Sequence, residues 1–177
     1  QATVQVAFGG SFEDLLRGCL ERICRVTGWP AGHVYVPDNI NDPRRLLPSP
    51  VWHFEREDLA PLAREIAGDA LVVGEGLPCK VCETNKESLH DIGTRIPILL
   101  KPRKRLLLKH GLHAAFGFPL YVEGKLQAVL ESFSETNRPP DEHVLHVVQS
   151  IGEQLGRLLE RQQGQEQKRQ AVAITDV

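Results

Sequence analysis

The spacing of apolar residues changes period along this chain, and each change marks an element. Leu15, Leu16, Cys19, Leu20, Ile23 and Val26 recur at helical spacing, with Ser11 placed to cap that helix and Gly28 to end it. Gly32 to Val36 (GHVYV) alternates as a strand, the Pro- and Asn/Asp-rich stretch Pro37 to Pro50 reads as a connection, and Val51 to Phe54 reads as a short strand. Glu57 to Ala67 is a second helix with Leu59, Leu62 and Ile66 inward, where Pro61 is tolerable because it lies near the start. After Gly74 and Gly76, Leu77 to Thr84 predicts a short helix, Ser88 to Ile92 a short strand, and Pro102 to His110 a helix stopped by Gly111.

From His113 to Ser134 two apolar runs, HAAFGFPLYV and KLQAVLESFS, flank Glu123-Gly124. This predicts a hairpin of central strands, because Gly124 readily takes the positive φ of a tight turn. Glu131 interrupts the second run. A carboxylate there must be hydrogen-bonded, protonated or open to a cavity, so Glu131 is a candidate pocket residue. Alternation puts Glu131 with Val129 and Phe133 on one face of the strand, without saying which face meets the short helices. His113, by the same parity, falls opposite Phe116 and Phe118.

From Asp141 onward the pattern is helical for about six turns or more. Val144, Val148, Ile151, Leu155 and Leu158 have the spacing of a coiled-coil seam, and Gly152 and Gly156 would admit a closely packed neighbour. The stripe can equally pack on the chain's own sheet, with Leu145 and Leu159 widening it. RQQGQEQKRQ reads as a solvated linker and AVAITDV as a lone strand similar to the first strand of a PAS domain. The expected organisation is an N-terminal extension at 1–10, one module at 11–161 and a polar linker at 162–177 leading to a downstream domain of the same chain.

At 177 residues and 41% hydrophobic content, one core is expected and two full domains are not. A net charge of −2 gives no reason to propose nucleic acid, and no apolar run approaches the roughly 18 residues of a membrane span. The chain opens on Gln1 and has no methionine, the expectation for a segment of a longer protein. Its 4 cysteines lack the pattern of a disulfide framework, which favours a reducing, cytoplasmic interior.

GLPCKV, HDI, HGLHAAFGFPLYVEGKLQAVLESFS and IGEQLGRLLER, spread over Phe12 to Arg161, together resemble a GAF domain of bacterial multidomain signalling proteins. The resemblance implies an α+β fold, an α/β/α sandwich on a central antiparallel sheet of five or six strands. The first and last helices would lie on one face and the short helices over a ligand pocket on the other. It names no ligand or cofactor, since members bind cyclic nucleotides, haem, bilins and small ions, and it does not imply catalysis. Two positions depart from the pattern: Cys79 stands where relatives usually carry glycine, and Cys82 where they carry tryptophan. The helix before the hairpin has no cysteine, where bilin-binding relatives attach their chromophore.

Candidate pocket residues are Glu131, His113, Phe116, Cys79, Cys82 and Asp91. Cys79 and Cys82, three apart beside Lys80 at a helix start, suit a redox pair or two ligands of a thiophilic metal, with His90 as a further candidate ligand, as well as ordinary packing. Cys19 and Cys24, five apart on the first helix, favour core packing. Lys101 to Arg105 (KPRKR) gathers positive charge at a helix start, which can capture an anion or lie solvated. No Gly-rich phosphate loop, His-Glu-x-x-His, nucleophile elbow or kinase signature is present, which argues against an enzyme. Two function classes follow. One is a sensory input domain that binds a small molecule and signals through its last helix to a histidine kinase or diguanylate cyclase. The other is a dimerisation and spacing module with its pocket filled by Phe116, Phe118 or Trp52. A homodimer using Val144, Val148, Ile151, Leu155 and Leu158 fits both. An enzyme that reduces free methionine sulfoxide, which also uses this fold, is a distant third.

Overall fold

The computed structural model describes residues 12–66, 71–72, 88–91, 101–136, 138 and 140–175. Its centre is the hairpin of β5 (Ala114–Val122) and β6 (Lys125–Ser134), paired antiparallel from Ala114↔Ser134 to Val122↔Lys125. Glu123 and Gly124 make the turn at φ 51° and 76°, both left-handed, which matches the twist of the strands they join. Around it β1 (Ala31–Pro37), β2 (Arg45–Phe54), β3 (Leu71–Val72) and β4 (Ser88–Asp91) complete an antiparallel sheet in the order β3-β2-β1-β6-β5-β4. The four long strands β2-β1-β6-β5 carry both layers of core; β3 and β4 are short edges.

Helix α1 (Phe12–Thr27) ends at Gly28, whose φ of 73° lets its N–H reach the carbonyl of Cys24 at 2.9 Å. Helix α4 (Glu142–Thr175) starts at Asp141, whose carboxylate accepts the N–H of Val144 at 2.8 Å. Both pack on one face of the sheet: Leu16, Leu20, Ile23, Val148, Ile151, Leu155 and Leu159 meet Val34, Val51, Phe116, Phe118, Leu120 and Leu130. On the other face a 3-10 turn (Glu57–Leu59), α2 (Leu62–Ile66) and α3 (Lys101–Lys109) bury Leu59, Leu62, Ile66 and Leu107 against Ala31, Tyr35, Ala115, Val129 and Phe133. His110 Nε2 and Glu65 Oε2, 3.1 Å apart, join the end of α3 to α2. This is the expected α+β sandwich with short helices on one side and the first and last helices on the other.

Three sequence expectations are corrected. The connection expected at Pro37–Pro50 is strand over its last part, because β2 begins at Arg45 and absorbs Pro48 and Pro50 in an irregular step where β1 moves from His33 to Tyr35 while β2 moves from Trp52 to Pro48. The helix expected at Glu57–Ala67 is divided at Pro61, so only Leu62–Ile66 is α-helical. The linker and lone strand expected beyond residue 162 are helix as far as Thr175. Gln, Glu, Lys, Arg and Ala are good helix formers, so polarity marked solvation there and not a break.

The seam on α4 is also reassigned. Val148, Ile151 and Leu155 lie in the chain's own core, and Val144 packs partly buried beside them. Only Leu158 of the five expected interface residues is exposed, at 40%. Gly152 and Gly156 serve the sheet: a Cβ at Gly152 would collide with the Phe118 ring, and one at Gly156 would sit 3.3 Å from the Tyr121 carbonyl.

Candidate functional site

Cross-strand register places one row of residues across the middle of the sheet. Trp52 of β2 pairs with His33 of β1, His33 with Glu131 of β6, and Glu131 with Gly117 of β5. Parity assigns the row to a face: Val129 and Phe133, two residues either side of Glu131, belong to the core under the short helices. Glu131 is 2% exposed and His33 1%. The flanking rows carry Ala31, Phe133 and Ala115 on one side and Tyr35, Val129 and Pro119 on the other. Bulk is uneven along the row. Aromatic rings crowd β1 and β2, while β5 contributes the small residues Gly117 and Ala115 beside Glu131.

The rings hold one another. His33 stacks on Trp52 at 4.0 Å and 18°, Trp52 stacks on Phe54 at 5.3 Å and 10°, and Tyr35 meets His33 edge-on at 4.7 Å. The irregular step in β2 does chemical work here: it turns the Ser49 carbonyl to His33 Nε2 at 2.9 Å, while Ser49 Oγ donates to the Val34 carbonyl at 2.6 Å. A carbonyl only accepts, so Nε2 carries a hydrogen and the ring is fixed in orientation.

Of the described residues expected at the pocket, the structure brings Glu131 alone to this row. Phe116 lies on the opposite face, 5.5 Å from Trp29 in the core beneath α1 and α4, because it differs from Gly117 by one position along the strand. Phe118 is there too, so neither ring lies on the face of Glu131, whereas Trp52, the third ring expected to fill the pocket, does. His113 is exposed just ahead of β5, where its N–H donates to the Ser134 carbonyl at 2.8 Å. Asp91 and His90 pair through their backbones with Ala114 and Ala115 at the edge of the sheet. Cys79 and Cys82, the short helix expected at Leu77–Thr84, the cap Ser11, and residues 1–10 lie outside the described residues. Among those that are described, no cluster of His, Cys, Asp or Glu could hold a metal ion. Sequence reasoning does not single out His33 or Ser49, and it names Trp52 only as a ring that could fill the pocket. The signal for His33 is its place in the alternation of GHVYV, but its cross-strand neighbours cannot be read without the register.

Cys19 and Cys24 are free thiols buried between α1 and the sheet. Burial pushes both up to about 12, Arg22 opposing it weakly at Cys19, and Glu55 adding to it at Cys24 against a hydrogen bond with Ser132. Along the same face an open groove of about 350 Å³ runs between β5 and α4, lined by Phe118, Leu120, Gly152 and Arg157. It does not communicate with the row, which is on the other side of the sheet.

A family model described as GAF domain matches residues 10–160, most of the chain. The chain belongs to the GAF domain family. This GAF domain resembles a domain of a two-component sensor histidine kinase protein, described as putative, from Sinorhizobium meliloti, with TM-score 0.64 and 15% identity over 91% of this chain and 99% of that one. It also resembles the GAF domain of a two-component sensor histidine kinase from Bacillus halodurans (TM-score 0.63, 13% identity, 85% and 95% covered). A third similar structure is a type II free methionine-R-sulfoxide reductase from Thermoplasma acidophilum (0.58, 10%, 85% and 93%). At these identities the likeness establishes the fold. No curated protein matches the chain in sequence. No helix among the described residues is long and apolar enough to cross a membrane.

Proposed function

We propose that this GAF domain is a sensory input module that takes up a small molecule between the sheet and its short helices and signals through α4 to an output domain such as a histidine kinase or diguanylate cyclase. The observation that carries this reading is the row Trp52–His33–Glu131–Gly117, a buried carboxylate and an oriented imidazole in the layer of the sheet that a module serving only as a spacer would fill with hydrocarbon. Acidic and imidazole side chains in a buried layer bring hydrogen-bonding chemistry to that face, which fits a layer that handles a polar molecule. The sheet then offers a short mechanical route. Gly117 faces the row and Phe118, the next residue, presses on Gly152 of α4, so a displacement of β5 is felt by the helix that leaves the domain.

The same helix favours a homodimer. It continues past the body of the domain to Thr175 with Leu158, Val172 and Ile174 exposed. Dimerisation and sensing are compatible in this arrangement, since a paired helix is a convenient output.

A thermal-shift screen of nucleotides, carboxylates, amines and inorganic anions on the wild-type chain tests the sensor reading. A ligand at about 100 times its dissociation constant adds about 2.7 kcal/mol, which for a chain of this size is a rise of about 5–10 °C in melting temperature. If no compound of a broad library raises it, the ligand reading fails and the dimerising spacer replaces it.

A further inference from the structure

The buried stripe that seats α4 on the domain ends on a residue of the wrong polarity. Val148, Ile151, Leu155, Leu159 and Gln162 recur at intervals of 3, 4, 4 and 3 and are all buried, so Gln162 stands where the pattern calls for one more apolar side chain. It is 2% exposed, and neither Oε1 nor Nε2 has a hydrogen-bond partner. An amide stripped of water without replacement bonds loses at least as much as its two buried methylenes gain, so the residue that closes the stripe also opposes its closure.

The residues around it add little to hold this turn down. Leu159 is fully buried, but every described residue after Gln162 is half-buried or exposed. The Glu160 carboxylate accepts the N–H of Glu123 at 3.4 Å, a long bond on an exposed edge. Gly164 is the weakest helix former after proline, and nothing lies within 4 Å of the position a side chain would take, so no close neighbour requires a glycine there. Costly burial, weak contact and weak helix coincide over Glu160–Gly164.

We propose that the turn of α4 around Gln162 exchanges between the docked position seen here and a released position in which the amide meets water, while Leu159 stays in the core as the point of attachment. Release restores the hydration of the amide and gives up only the Gln162 methylenes and the Glu160 contact, so the two positions lie close in free energy. A small bias then shifts the balance, and a partner helix or an output domain attached beyond this turn is placed to supply it. The device needs no ligand and operates equally in a spacer, so it goes beyond the sensor reading.

Solvent exchange of the Gln162 side-chain NH2, followed by NMR on the full chain and assigned by through-bond correlation, tests it. With intrinsic rates divided out, these protons are expected to exchange about 100-fold faster than the backbone N–H of Leu155, because local opening exposes the first and only wider unfolding the second. Gln162→Leu is expected to raise the melting temperature by about 3–8 °C, since it removes an unpaired amide from the same seat. Protection of the NH2 equal to that of Leu155 overturns the proposal. A leucine variant that is folded but no more stable than the wild type overturns it too, by showing that the amide is satisfied where it lies. The wild-type exchange carries the test even if the variant does not fold. Neither measurement involves a ligand, so a failure here leaves the sensor reading to the thermal-shift screen.

Discussion

A thiol held in hydrocarbon is a weak nucleophile, and Cys19 and Cys24 are both in that state. With each pushed up to about 12, only about one molecule in 10⁵ carries the thiolate at pH 7. Iodoacetamide at pH 7 is therefore expected to leave both unmodified in the native protein and to modify both in denaturant; rapid native labelling of either would contradict the burial. Their spacing of five on an amphipathic helix already pointed to packing. Glu131 was equally visible as an exception in an apolar strand, but its face was not. Both sides of β6 are apolar because both are covered, so alternation separates Glu131 from Leu130 without naming the layer each enters. The same limit applies to Phe116. One position along a strand moves a side chain through the sheet, and only the partners of β5 decide that it packs with Trp29.

At the scale of elements, the glycines of α4 have opposite uses. A methyl at Gly152 meets the Phe118 ring, which is held in the core, whereas Gly164 has nothing within 4 Å. Gly152→Ala is expected to lose about 1–3 kcal/mol from overpacking, against a gain of up to about 1 from helix propensity, and Gly164→Ala to gain up to about 1 kcal/mol. Thermal denaturation of the two variants should move in opposite directions, and a shared direction would show that Gly152 does not seat the helix. Elements with strong periodicity, such as α1 and the central hairpin, were legible from residue spacing and from Gly28 and Gly124. Two were not. The prolines of β2 hide a strand that tolerates them through an irregular step, and the polarity of residues 163–170 conceals a helix whose side chains there have no core to meet.

For the molecule as a whole, the question is what α4 meets beyond the sheet. Leu158 and Val172 are two heptads apart and exposed, a spacing that puts them on one seam of a paired helix. The double variant Leu158→Glu/Val172→Glu should convert a dimer to a monomer in light scattering with its circular dichroism unchanged, since burying each side chain against a partner contributes about 1.5–3 kcal/mol. Substituting Leu155 would not test this, because it belongs to the chain's own core. A wild type that is already monomeric, or a variant of unaltered mass, removes this seam from the interface. Gln162 marks the point of departure: it is the last buried residue of α4, with neither amide atom hydrogen-bonded. Past it the helix is a rod of thirteen residues, about 20 Å long at 1.5 Å per residue. A rod anchored at one end magnifies angle into distance, so a tilt of about 5° at Gln162 carries its tip by about 2 Å, a length comparable with the helix shifts of known switches. The domain thus has a lever whose fulcrum is a single unsatisfied amide.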